Sequence, residues 1–169
     1  FNSQVKLINF YALRVIYTIF IKIFKNLNFL NKKLTFLLNR NNSNSNVNLS
    51  YKPTTADDKL VVEADKARIV QVISNLLSNA IKFTKGKGSM IFITIEKKQN
   101  QEVIVKIKDT GTGIDSEILP RLFTKFATLS NSGTGLGLYI SKCIVEAHGG
   151  RIWAENNSDG IGASIYLLV

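Results

Sequence analysis

Asn75, Asn79 and Lys82 fall at i, i+4 and i+7 within Asp65–Thr84, D-K-A-R-I-V-Q-V-I-S-N-L-L-S-N-A-I-K-F-T. In a helix, at roughly 100° per residue, the three share one polar stripe. Two carboxamides and an ammonium in line suit anionic oxygens together with a hard cation. An amide oxygen can ligate Mg²⁺, and the ammonium can meet a phosphate. Taken alone, the stripe fits a plain solvated helix face better; two downstream motifs reverse that preference.

The first is Asp109-Thr-Gly111-Thr-Gly113. Glycines at these steps let a flat ligand approach the backbone, and Asp109 can accept a hydrogen bond from an exocyclic amine such as that of adenine. An ordinary strand-to-helix turn would carry the same residues. The second is Gly133-Thr-Gly135-Leu-Gly137-Leu138. Alternating glycines at a helix start expose backbone N–H groups that favour phosphate. The spacing departs from the dinucleotide fingerprint G-x-G-x-x-G and no strand directly precedes it, so a nucleotide site of another kind fits better.

These residues need elements to hold them. Asp65 is a good N-cap for the helix over 65–84. Ile69, Val72, Ile73, Leu76, Leu77, Ala80 and Ile81 recur at helical steps and predict its buried face. Pro53–Asp58 reads as a turn, and Lys59–Ala64 as a short strand leading into that helix. Met90–Glu96 and Glu102–Lys108 alternate apolar and polar residues and predict a hairpin, with Asp109 at its far end. Asp115 starts a short helical piece through Leu119, Leu122, Phe123 and Phe126, whose two phenylalanines are expected in the core. A helix is predicted over Tyr139–Ala147, ended by His148-Gly149-Gly150, with His148 in a structural, helix-end role. Arg151–Glu155 and Ala163–Val169 predict the last two strands, with Asn156–Gly162 as the turn between them. Cys143, the single cysteine, reads as a small core residue and fits a reducing compartment.

Charge divides the chain. Residues 1–52 hold eight Lys/Arg and no acid, whereas 53–169 are close to balanced, with fourteen Lys/Arg against twelve acids. A basic piece can touch lipid headgroups or nucleic acid; no zinc spacing or nucleic-acid motif supports the second, so no nucleic acid partner is expected. Leu7–Ile23 is apolar but interrupted by Asn9, Arg14 and Lys22, which favours a soluble or interfacial helix over a spanning one. Asn39–Asn48 is polar and low in complexity and reads as a linker. The abrupt Phe/Ile/Lys/Asn/Tyr bias of this piece also fits translation of an AT-rich, non-native frame. The expected division is therefore 1–52, an ill-defined helical or linker segment, and 53–169, a folded domain.

Over residues 57–169 the motifs resemble, in order and spacing, the ATP-binding catalytic domain of sensor histidine kinases. N-L-L-S-N-A-I-K-F-T is similar to their N box, D-T-G-T-G-I to the first glycine box, L-F-T-K-F to the F box and G-T-G-L-G-L-Y-I to the second glycine box. The resemblance implies the Bergerat ATP-binding fold, a two-layer α/β sandwich with a mixed sheet and helices on one face. It implies that Asn79 ligates Mg²⁺, that Asn75 stands beside it toward the phosphates and that Lys82 contacts phosphate. Asp109 would bind the adenine amino group, with Gly111 and Gly113 shaping its pocket. Gly133, Gly135, Gly137 and Leu138 would cradle the phosphates at the end of an ATP lid.

The implied reaction is transfer of the ATP γ-phosphate to a histidine on a dimerisation domain, and onward to a response regulator receiver domain. The superfamily's hydrolases carry Glu where this chain has Asn75, which argues against an ATP-hydrolysing machine. Two features depart from the family. Residues 1–56 contain no histidine, so the phosphoacceptor box is missing and this chain should not autophosphorylate. Only residues 127–132 separate the F box from the second glycine box, so the lid is short. A cytoplasmic domain is expected, with membrane association of an intact protein left open. Two rivals remain: a nucleotide-binding regulatory module without phosphotransfer, and an anti-sigma-type serine kinase, whose acidic residue near position 75 is missing here.

Overall fold

Five strands form one sheet, and their alternation decides which side is covered. β1 (Asn48–Pro53), β2 (Met90–Lys97), β3 (Val103–Asp109), β4 (Arg151–Asn156) and β5 (Ala163–Leu168) lie in the order β1-β2-β3-β5-β4. β1 runs parallel to β2 and every other pairing is antiparallel, so the sheet is mixed. The computed structural model describes residues 47–53, 64–84, 88–98, 102–128 and 133–169. The expected strand at 59–64, except for Ala64, and the lid from 129 to 132 lie outside the described residues.

Ile91, Ile93 and Ile95 of β2 and Val103, Val105 and Ile107 of β3 point to one side and are buried; the residues between them are half-buried. Ile152 of β4 and Leu167 of β5 join the same side. Two helices cover it, α1 (Lys66–Phe83) and α2 (Gly137–Ala147). All seven apolar residues expected to face inward from α1 are buried and share one core with the strand residues. The two-layer sandwich with helices on one face is thus the observed architecture.

Capping fixes where α1 begins. The Asp65 carboxylate accepts the N–H groups of Ala67 at 2.8 Å and Arg68 at 3.1 Å, two of the donors that a helix start leaves unpaired. The Asp65 N–H in turn donates to His148 Nε2 at 3.0 Å, while His148 Nδ1 meets Ile144 O at 2.7 Å. Because Nε2 accepts, the proton belongs on Nδ1. His148 therefore ties the end of α2 to the start of α1, the structural role expected of it.

Five expectations need correction. Asn48–Pro53 is an edge strand in the sheet, so the boundary drawn between 52 and 53 cuts through β1. Its proline is tolerated because an edge strand can leave an N–H unpaired. The segment from Asp115 to Phe126 contains one 3-10 turn, Leu119–Arg121, rather than a helix, since Pro120 has no N–H to give. Phe123 packs against the core as expected, but Phe126 is 68% exposed at φ 64°. Cys143 is exposed, because α2 turns Ser141 and Val145 inward instead. α2 also starts two residues earlier than predicted, at Gly137. Among the described residues no helix is long and apolar enough to cross a membrane.

Candidate functional site

A cavity of about 690 Å³ opens where α1, the loop after β3 and the start of α2 converge. Asn75, Asn79 and Lys82 line it from α1, so the polar stripe is not a bare solvated face. Asp109 and Gly113 line it from the end of β3, and Gly133, Gly135, Gly137 and Leu138 from the second glycine run. Ile118, Leu122, Ala163 and Ile165 add apolar wall, which suits the faces of a planar base. Of the expected site residues only Gly111 does not line the cavity. It packs under the α1 end, where a Cβ would collide with the Phe83 carbonyl.

Asp109 is 8% exposed. Its Oδ1 accepts Gly111 N–H at 2.8 Å and Ala163 N–H at 3.3 Å. Burial raises its carboxyl above the usual carboxylate value, and those two backbone bonds pull the other way. Among the described residues no bond ends on Oδ2, which leaves that oxygen to a ligand. Asn75 Nδ2 donates to Ser141 Oγ at 2.9 Å, and Ser141 is buried on α2. Gly137 lies flush against the same carboxamide, so that a Cβ there would stand 2.5 Å from Asn75 Oδ1. Asn75 thus fixes how closely α2 approaches α1. Asn79 makes no hydrogen bond among the described residues, and its carboxamide faces the cavity unengaged. The Lys82 ammonium reaches the glycine run: a Cβ on Gly133 would lie 3.5 Å from Nζ.

Sequence reasoning missed three polar residues here. Ser141 is hidden in an apolar helical pattern. Asn156 and Asn157 read as turn formers, yet Asn157 Nδ2 donates to Asp109 O at 2.9 Å and Asn156 bonds the backbone of Ile114. No local signal marks this role, because the site partners they hold, Asp109 and Ile114, are more than forty positions earlier in the chain. The exposed Phe126 bears on the site through its backbone: its N–H donates to Gly135 O at 3.1 Å, closing the base of the loop between them.

Comparison with known proteins agrees with this geometry. Residues 64–169 match the family described as histidine kinase-, DNA gyrase B-, and HSP90-like ATPase. The sensor protein FixL of Bradyrhizobium diazoefficiens is 39% identical over 101 residues, 59% of this chain and 20% of that protein. The sensor protein KdpD of Clostridium acetobutylicum is 45% identical over 119 residues, 67% of this chain and 13% of that protein. A different likeness covers 50 residues, 30% of the chain, which are 96% identical to 15% of the large ribosomal subunit protein uL11m of Acanthamoeba castellanii. The chain spans between 13% and 20% of the length of these curated relatives.

Among solved structures, the nucleotide-free catalytic domain of histidine kinase ThkA has a TM-score of 0.68 at 34% identity, over 85% of this chain and 91% of that one. ThkA in complex with the response regulator protein TrrA has a TM-score of 0.64 at 33% identity, over 85% of this chain and 40% of that one. The polar stripe, the buried aspartate and the second glycine run meet at one cavity in a fold shared with these enzymes, and the chain belongs to the histidine kinase-, DNA gyrase B- and HSP90-like ATPase family, as a histidine kinase ATP-binding catalytic domain.

Proposed function

We propose that the chain binds ATP with Mg²⁺ and passes the γ-phosphoryl group to a histidine on a separate, dimer-forming domain, from which a response regulator receiver domain takes it. The observation that carries this reading is the state of Asn75. Its carboxamide is hydrogen-bonded to Ser141 and offers no basic group at the phosphate end of the cavity. Activating water needs a general base; a neutral imidazole attacking phosphorus with its own lone pair does not. Catalysis then rests on positioning and charge neutralisation, which Lys82 and the backbone N–H groups of the glycine run supply.

Asn79 fits the metal. Mg²⁺ keeps several waters and is commonly held by one or two protein oxygens plus substrate phosphates, so one unengaged carboxamide in the cavity is an adequate protein ligand. When bound, the ion would neutralise charge on the phosphates. Asp109 Oδ2 would take the adenine amino hydrogen, and the apolar wall would cover the ring. Gly133, Gly135, Gly137 and Leu138 would border the phosphates, while Gly111 and Gly113 shape the adenine end. The acceptor histidine must lie elsewhere, since both ring nitrogens of His148, the one histidine in the chain, are engaged. The pairing of β1 with β2 supports a catalytic unit that starts near residue 47, with the basic residues before it as an appendage suited to anionic headgroups. A cytoplasmic setting fits a catalytic unit that draws on ATP.

The test is to mix the full chain with a histidine-bearing helical-hairpin domain and γ-labelled ATP. Acid-labile label on the added domain is the expected result. Nucleotide binding without any transfer would leave only a regulatory module, and acid-stable label on serine would point to a serine kinase.

A further inference from the structure

Two consecutive asparagines at the end of β4 grip two successive parts of the segment that would read adenine. Asn156 holds Ile114 by both of its backbone groups: Ile114 N–H donates to Oδ1 at 2.7 Å, and Nδ2 donates to Ile114 O at 2.8 Å. One residue bonded through N–H and C=O together is the arrangement of a hydrogen-bonded pair between antiparallel strands. The carboxamide thus stands in for a neighbouring strand that the loop lacks. Gly113, at φ 77°, lies directly beneath this contact, and a Cβ there would stand 3.0 Å from Asn156 Oδ1. Gly113, Ile114 and Asp115 all line the cavity, so the position of that wall follows the position of Asn156.

Asn157 works on the other side of the same turn. It is buried, and its side chain is fully committed: Nδ2 donates to Asp109 O at 2.9 Å and to Ile161 O at 2.5 Å, while Oδ1 accepts Ser164 Oγ–H at 2.7 Å. It locks the backbone of Asp109, whereas Asn156 locks the loop that follows. Asn156 is exposed, and among the described residues the hydrogen bonds of its side chain go to Ile114 alone. Those side-chain bonds hold the cavity wall.

We infer that Asn156 is a positioning residue that sets base specificity, by holding Gly113–Asp115 where the wall accepts adenine seated on Asp109 and leaves no room for the extra 2-amino group of guanine. This rests on the ATP reading of the cavity. Preorganised hydrogen bonds of this kind act on selectivity because they remove the freedom of the wall to adjust to the wrong base. Asn156→Ala frees the wall. Asn156→Asp keeps the acceptor for Ile114 N–H but sets a carboxylate against Ile114 O.

The experiment measures Kd for ATP and for GTP, both with Mg²⁺, by calorimetry on the full chain and on both variants, alongside thermal unfolding without nucleotide. The wild-type chain is expected to prefer ATP. Asn156→Ala is expected to weaken ATP about tenfold, the scale of one or two neutral hydrogen bonds, with the GTP-to-ATP ratio falling toward one and the unfolding midpoint unchanged. Asn156→Asp is expected to lose selectivity at least as far. A folded Asn156→Ala variant with the wild-type ratio overturns the inference. So does an equal loss for both nucleotides together with a lowered midpoint, which would make the residue merely structural. A wild-type chain that binds neither nucleotide overturns the ATP reading itself, and this inference with it.

Discussion

Asp109→Asn separates what the site needs from what the fold prefers. The asparagine keeps an oxygen where Oδ1 accepts Gly111 and Ala163 N–H, and it replaces the unengaged Oδ2 with an N–H₂ donor. Against the adenine amino group that is donor facing donor. A hydrogen bond to a charged group contributes about 1.5–3 kcal/mol, so ATP affinity should fall by roughly 10- to 150-fold. Stability should move the other way. Burial raises the Asp109 carboxyl above its ordinary 3.8, so the folded state holds the proton more tightly than the unfolded chain does. The stability linked to this group is then complete below that ordinary value and is lost as pH rises through the raised folded value. At neutral pH the wild-type chain carries the cost of a buried ionised carboxylate, and the variant does not. Calorimetry with ATP and thermal unfolding as a function of pH read the two effects. The variant should be at least as stable as wild type at pH 7, with the difference closing below about pH 4. Wild-type ATP affinity in the variant would refute Asp109 as the base contact. A clear loss of stability at pH 7 would refute burial as the dominant influence on its charge.

Asn79→Ala should remove the Mg²⁺-dependent part of ATP binding, so that variant and wild type bind alike in excess chelator and differ when Mg²⁺ is present; equal magnesium dependence in calorimetry would remove Asn79 from the metal. Leu76→Ala, at a core position with no exposure, should cost about 2–5 kcal/mol of stability, read as a lower urea midpoint with unchanged slope; a loss under 1 kcal/mol would mean that the α1–sheet contact is not the core it appears in the packing.

How much of this was legible in the sequence depends on the range of the interaction involved. α1 was readable nearly to the residue, because its cap and its seven inward positions are local consequences of helical periodicity and of one aspartate. The same periodicity misread Phe123 and Phe126 as a helical pair. Pro120 prevents the helix, and the contact with Gly135 sets Phe126 at positive φ, where its side chain turns outward. β1 went unseen because an asparagine-rich approach and a proline mask a strand whose pairing partner, β2, begins some forty residues later. The polar stripe and glycine runs were visible as types and spacings, and their convergence came through the resemblance. Asn156, Asn157 and Ser141 were invisible, since the bonds by which they bear on the site are long-range and leave no repeat behind.

The exposed cysteine has a practical use. Cys143 is the only thiol in the chain and stands on the open side of α2. It lies six residues beyond Gly137, where that helix borders the cavity, or about 9 Å along the axis. A thiol-specific fluorophore would therefore attach at one place on the protein without mutagenesis. It would report from the far turn of the helix whose first turn faces the nucleotide, making the native chain its own optical sensor of site occupancy.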